Sequence, residues 1–239
     1  LMIRRPPRST RKESSAASDV YKRQPDNNAK PSKKCRKNIV DLIRSWRILI
    51  SMKKSMNQKK RKNMSKTVLN DMRSRTYRYN STKEYVDKFP CAYRQYKADS
   101  HCNVIHGYSF SMRFFFGTDH LDVRNWVVDY GGLGELKSFL DEQFDHTLLV
   151  AEDEPEMDLY KQLEKAGIAK LTILPKLGCE GMSSMLYKYI NGVFIPDMWG
   201  PGEAERIWCY RVEVRETENN MAWREGHREW NEDLFEVDE

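Results

Sequence analysis

The pattern of apolar and polar positions changes character near residue 82. "TKEYVDKFPCAYR" (residues 82–94) mixes β-branched and aromatic side chains with polar ones and predicts a strand. A polar loop, "QYKADSHCN", separates it from "VIHGYSFSMRFFFGT" (residues 104–118), a long aromatic strand closed by a glycine. "WVVDY" (residues 126–130) predicts a third, short strand. Leu133, Leu136, Phe139, Leu140 and Phe144 then fall at helical spacing over residues 131–144. After "DHTLLV", a second helix is predicted over residues 153–167, with Gly167 as its stop. "AKLTILP" predicts a strand ended by proline, and "EGMSSMLYKYINGVF" (residues 180–194) a third helix. Residues 206–217, "RIWCYRVEVRET", alternate as a half-buried strand does, and the acidic tail beyond is expected to be peripheral. The order β-β-β-α-α-β-α-β predicts an α+β fold with an antiparallel sheet.

Composition divides the chain differently. The net charge is +6 over 239 residues, but its distribution is lopsided. Residues 1–66 hold 21 Lys+Arg against 4 Asp+Glu, and the remaining residues hold 20 against 31. A basic head therefore precedes an acidic body, and the two are read separately. Residues 1–24 have no usable periodicity and resemble translated sequencing-adaptor read-through, so they are set aside as a non-native segment. Residues 25–66 are rich in Lys, Asn and Ser, and either a nucleic-acid-binding arm or a disordered or upstream segment fits them. Low hydrophobicity with high charge gives disorder without any partner, so no nucleic-acid partner is expected. Met52, Met56 and Met64 are candidate starts, and residues 67–224 form the expected folded domain, followed by the acidic tail 225–239.

No run of about 18 apolar residues occurs, so no membrane span is expected. The five cysteines, at 35, 91, 102, 179 and 209, are odd in number and form no CxxC pair. That usage suits a reducing compartment, and a cytoplasmic location is expected.

Candidate chemistry begins in "SHCNVIHGYSF". His106 and Tyr108 are two apart on a predicted strand, so their side chains leave one face, and Cys102 lies in the loop just before. A thiol beside an imidazole can act as base or nucleophile. A buried cysteine and a core histidine fit the same letters. "FDHT" sets Asp145 directly before His146, a pairing in which a carboxylate can orient an imidazole for acid–base work, and a helix-end Asp beside a surface His fits the same letters. Glu216, at the end of the last predicted strand, can grip a guanidine-like edge with two parallel hydrogen bonds, although a strand-edge surface charge is the commoner use of a carboxylate there.

Taken in order, these features resemble the 6-pyruvoyltetrahydropterin synthase family. The motifs span residues 89–110, "DH" at 145–146 and "RET" at 215–217. The likeness is closest to its 6-carboxytetrahydropterin synthase branch, which serves queuosine and 7-deazapurine synthesis. The resemblance implies the tunnelling fold, an antiparallel four-stranded sheet with helices on one face, assembled into homo-oligomers with active sites between subunits. It implies a lyase that converts 7,8-dihydroneopterin triphosphate to 6-carboxytetrahydropterin. The sibling reaction to 6-pyruvoyltetrahydropterin, or a non-catalytic pterin- or purine-binding role, is the alternative.

Residue by residue, the resemblance implies that Cys102, Asp145 and His146 move protons and that Glu216 holds the amino-pyrimidine edge. It implies a zinc ion held by three side chains, at the positions of Tyr93, His106 and Tyr108. Two of these three carry tyrosine where the family has histidine. Arg94, Gln95 and Arg113 are candidates for triphosphate contacts.

Overall fold

The computed structural model describes residues 76–228. The expectations for residues 1–24, for the basic segment 25–66 and for most of the acidic tail lie outside the described residues. Six strands and four α-helices are numbered here in chain order. The strands are β1 (Tyr79–Tyr93), β2 (His106–Thr118), β3 (Thr147–Ala151), β4 (Leu171–Leu174), β5 (Trp208–Arg215) and β6 (Met221–Glu225). The helices are α1 (Gly134–Phe144), α2 (Met157–Lys165), α3 (Gly178–Tyr189) and α4 (Ile195–Arg206).

All six strands form one sheet in the order β4-β3-β1-β2-β5-β6. The pairs β1–β2, β2–β5 and β5–β6 are antiparallel, whereas β1–β3 and β3–β4 are parallel. This corrects the expected four-stranded antiparallel sheet: the fold is mixed α+β with six strands. The added strands come from a β3–α2–β4 unit, whose helix carries the chain back so that β4 runs parallel to β3.

Every second side chain of β2 from Phe110 to Phe116 joins the core. Phe110, Met112, Phe114 and Phe116 are fully buried. Each contributes about 1.5–3 kcal/mol by leaving water. They join Phe89 of β1, Val212 and Val214 of β5, Leu136, Leu140 and Phe144 of α1, and Met182 and Leu186 of α3 in one cluster. The opposite face carries charge instead. There Arg113 bonds Glu84 at 2.6 Å, and Arg211 bonds Glu213 at 2.6 Å. β1 is bulged between Tyr85 and Phe89, and Asp87 takes φ 47° there. The bulge adds an even number of residues, so Phe89, Cys91 and Tyr93 stay in phase with the core.

Three further expectations need correction. Residues 126–130 are not a strand. The Arg206 guanidinium donates to the carbonyls of His120 at 3.0 Å, Trp126 at 3.2 Å and Val127 at 3.0 Å, so two carbonyls of this segment are met by a side chain and not by a strand partner. The third helix does not stop at residue 194. A π-turn, Ile190–Phe194, carries it into α4, which kinks at Gly200 and Pro201. The beginning of the acidic tail is not peripheral either: β6 ends at Glu225, Gly226 N–H donates to Tyr210 at 2.8 Å, and His227 is buried.

Candidate functional site

An open cavity of about 340 Å³ lies where the core face of the sheet runs out. Four elements supply its wall. The end of β1 and the following loop give Tyr93 and Gln95, and the start of β2 gives His106 and Tyr108. The N-terminus of α3 gives Gly178, Cys179 and Glu180, and the β5–β6 turn gives Glu216 and Asn219–Met221. Cys102 completes the wall from a short 3₁₀ turn, His101–Asn103.

Local rules explain each placement. Tyr93 pairs with His106 and Cys91 with Tyr108 across the antiparallel β1–β2 ladder, so these side chains share the core face. Ser100 caps the Cys102 turn by accepting from the Cys102 N–H at 3.3 Å, and Gln95 N–H donates to the Cys102 carbonyl at 2.8 Å. Gly178 has φ 85°, a left-handed backbone that favours glycine, and a Cβ there would also displace the Gln95 amide, whose Nε2 would lie 2.7 Å away. Glu216 opens the β5–β6 turn, where its N–H donates to the Asn220 carbonyl at 3.1 Å.

The rings at 93, 106 and 108 form one aromatic cluster. Tyr93 and His106 have centroids 5.0 Å apart, and His106 meets Tyr108 edge-on at 5.4 Å. His106 Nδ1 lies 2.8 Å from the Val104 carbonyl oxygen. A carbonyl only accepts, so Nδ1 carries the proton of the neutral ring and Nε2 remains an acceptor. The Tyr93 hydroxyl donates to Glu216 Oε1. Burial first, and then the bond to Glu216, push the Tyr93 phenol far above its ordinary pKa. Burial and the Glu216 charge raise Tyr108 as well.

This donor set does not suit zinc. A phenol is a poor zinc ligand beside imidazole, thiolate or carboxylate, and tyrosines stand at two of the three positions. The Tyr93 hydroxyl is already engaged by Glu216. Among the described residues, no group of three or more His, Cys, Asp or Glu is arranged to hold a metal ion.

The remaining candidates fall elsewhere. Asp145 and His146 do meet: His146 Nδ1 lies 2.7 Å from Asp145 Oδ1. The pair precedes β3, with the His146 side chain 83% exposed, and it takes no part in the Cys102 cavity. His146 sits at φ 53°, and its N–H donates to the Pro90 carbonyl at 2.8 Å. Arg113 lies on the charged face, paired with Glu84, and Arg94 is held by Glu154. Of the three candidate triphosphate contacts, only Gln95 lines the cavity. Gly178, Cys179 and Glu180 were missed in the sequence. The visible signal was the glycine of "KLGCEG" just before an amphipathic helix.

Thiol, imidazole, phenol and carboxylate groups thus converge on one cavity at the open end of an α+β sheet. The chain belongs to the 6-pyruvoyl tetrahydropterin synthase family, whose profile matches residues 82–227. A 6-carboxy-5,6,7,8-tetrahydropterin synthase of Rickettsia conorii is 28% identical over 71 residues, covering 29% of this chain and 51% of that protein. The protein of the same name from Rickettsia felis is 27% identical over 71 residues, again covering 29% of this chain and 51% of that protein. The chain thus spans about half the length of the curated relatives it matches. An uncharacterized protein of Wolinella succinogenes has the same fold, with TM-score 0.52 and 16% identity over 62% of this chain and 98% of that one. No helix among the described residues is long and apolar enough to cross a membrane.

Proposed function

We propose that the cavity binds a pterin and that the protein is a lyase acting on 7,8-dihydroneopterin triphosphate. The product is 6-carboxy-5,6,7,8-tetrahydropterin, with triphosphate and acetaldehyde released, as a step toward 7-deazapurines such as queuosine. The observation that carries this reading is the presence of Cys102, His106 and Glu216 on one cavity wall. Glu216 presents a carboxylate to the N3–H and 2-amino donors of the pterin edge. Tyr108 and Met221 offer flat and apolar surface beside it. Cys102, at the rim, moves a proton at the side-chain carbons of the substrate.

The Asp145–His146 pair serves the same chemistry from a second copy of the chain in a homo-oligomer. Its exposure, its preformed 2.7 Å contact and its left-handed backbone support that role. The two tyrosines favour a second reading, a pterin- or purine-binding protein without turnover.

Incubation with 7,8-dihydroneopterin triphosphate and mass analysis of the product tests the proposal. The 6-carboxy product is expected, and Cys102→Ala should lower kcat by about 10²-fold or more with little change in pterin affinity. A 6-pyruvoyl product would move the chain to the sibling reaction. Tight pterin binding without product would favour the binding-only reading.

A further inference from the structure

Tyr93 and Glu216 lie 123 residues apart in sequence, yet the phenol of one closes directly on the carboxylate of the other. Tyr93 is 2% exposed and is boxed in by His106, Tyr108 and Phe110, with ring centroids 5.0, 6.1 and 6.0 Å away. Its hydroxyl direction is therefore set by packing, not by the ligand. Glu216 is the opposite case, a half-buried side chain on a turn. A glutamate on a turn has three rotatable bonds to settle before it can present both oxygens to a planar partner. The phenol fixes one oxygen in place. A carboxylate has about four lone-pair positions, so Oε1 can accept from Tyr93 and from a ligand together.

We infer that Tyr93 is a positioning residue that locks Glu216 for an amino-pyrimidine edge, and that the cavity does this without a resident zinc ion. The inference rests on the pterin reading above. Two structural consequences support it. A histidine at position 93 is shorter and would leave Glu216 unheld, so the tyrosine is more than a lost ligand. His106 is the one imidazole of the cluster, and the Tyr93 hydroxyl is already committed to Glu216, so two of the three ring positions offer a metal no ring nitrogen or thiolate.

The test uses the full chain, with two probes and a metal measurement. Pterin presents the 2-amino and N3–H donor pair, whereas lumazine has a carbonyl oxygen in place of the amino group and is repelled by a fixed carboxylate. Wild-type protein is expected to prefer pterin over lumazine, with affinities unchanged by EDTA. After equilibration with zinc and desalting it should hold well under one zinc per chain by elemental analysis. Tyr93→Phe removes only the hydroxyl and should cut the pterin-over-lumazine preference by about 10-fold. Glu216→Gln should abolish the preference. Tyr93→His with Tyr108→His restores three imidazoles and should acquire about one zinc per chain.

A stoichiometric zinc in the wild type that is lost in His106→Ala overturns the inference. So does Tyr93→Phe that keeps its circular dichroism spectrum and the full preference. Wild-type protein that binds neither probe overturns the pterin reading itself, and the inference with it.

Discussion

Asn191 clamps the backbone of Cys209 from both sides. Its Nδ2 donates to the Cys209 carbonyl at 2.8 Å, and its Oδ1 accepts from the Cys209 N–H at 2.8 Å. The amide thereby imitates a neighbouring strand at the point where the β2–β5 register slips between Phe115 and Phe116. The π-turn that ends α3 is what brings the amide there, and a third bond, to the Tyr187 carbonyl at 3.1 Å, holds it in place. Asn191→Ala would leave two buried backbone groups unpaired, at a cost of about 3 kcal/mol. For a domain of this size the melting temperature should fall by roughly 6–12 °C. Thermal unfolding followed by circular dichroism checks this, and a change under about 2 °C would contradict the clamp.

A second stability prediction concerns Arg94 and Glu154, which join the end of β1 to the turn before α2. The Glu154 side chain is 1% exposed, and Arg94 donates to both of its oxygens. Arg94→Ala leaves a buried carboxylate without its cation and should destabilise by about 3 kcal/mol. Arg94→Ala combined with Glu154→Leu should recover much of that loss, because neither charge is then stranded. Urea titrations of the single and double variants give the comparison.

Among Cys91, Cys102, Cys179 and Cys209, brief treatment with iodoacetamide near pH 8 should label Cys102 alone. Cys102 is half-buried at the cavity rim, whereas the other three are buried. Burial pushes the Cys91 thiol up to about 12, and burial followed by the nearby Glu216 charge does the same for Cys179. Peptide mapping of the alkylated protein reads this directly, and labelling of Cys179 at the Cys102 rate would refute it.

The same thiols fix the sign of an alkaline effect. The folded protein keeps the Cys91 and Cys179 protons up to about pH 12, while the unfolded chain releases them near pH 9. The native state therefore binds more protons in this window, and stability falls as pH rises from about 9 to about 12. Tyr85, which burial and the Asp141 charge also raise to about 12, adds to the fall. Urea midpoints at pH 8, 9 and 10 should decline in that order.

How much of this was legible in the sequence depends on which signal each segment carried. β1 and β2 announce themselves by alternation, because one face is core and the other carries polar and charged groups such as Arg113 and Glu84. β3 does not alternate. Four of its five residues are buried, so "TLLVA" reads only as a short apolar run. β6 was hidden for the opposite reason: its residues are exposed or half-buried at the sheet edge, and a polar edge strand looks like tail. α4 contains Gly200, Pro201 and Gly202, letters that end a helix by local rules, and the backbone does break at Gly200. In the site, the spacing of His106 and Tyr108 placed them on one face. The grouping of Cys102, Tyr93 and Glu216 was given by family order alone, since their proximity is made by strand pairing across long separations.

The separation of Cys102 from the Asp145–His146 pair yields a mixing experiment. Cys102→Ala and His146→Ala should each be inactive and each fold normally, since His146 is exposed and Cys102 only half-buried. If a site takes Cys102 from one copy and His146 from another, subunit exchange between the two variants should restore about a quarter of the wild-type sites. Mixed oligomers that stay inactive would show that both groups must come from one chain.

The link between Tyr93 and Glu216 also bears on how the protein is made. Tyr93 emerges from the ribosome early, and Glu216 only after β1 to β5 have been synthesised. The turn that carries Glu216 is then pinned by β6, almost the last described segment of the chain. A chain without the β5–β6 turn has no carboxylate to pair with the Tyr93 hydroxyl. If Glu216 grips the ligand as proposed, ligand affinity reports whether the β5–β6 hairpin has formed.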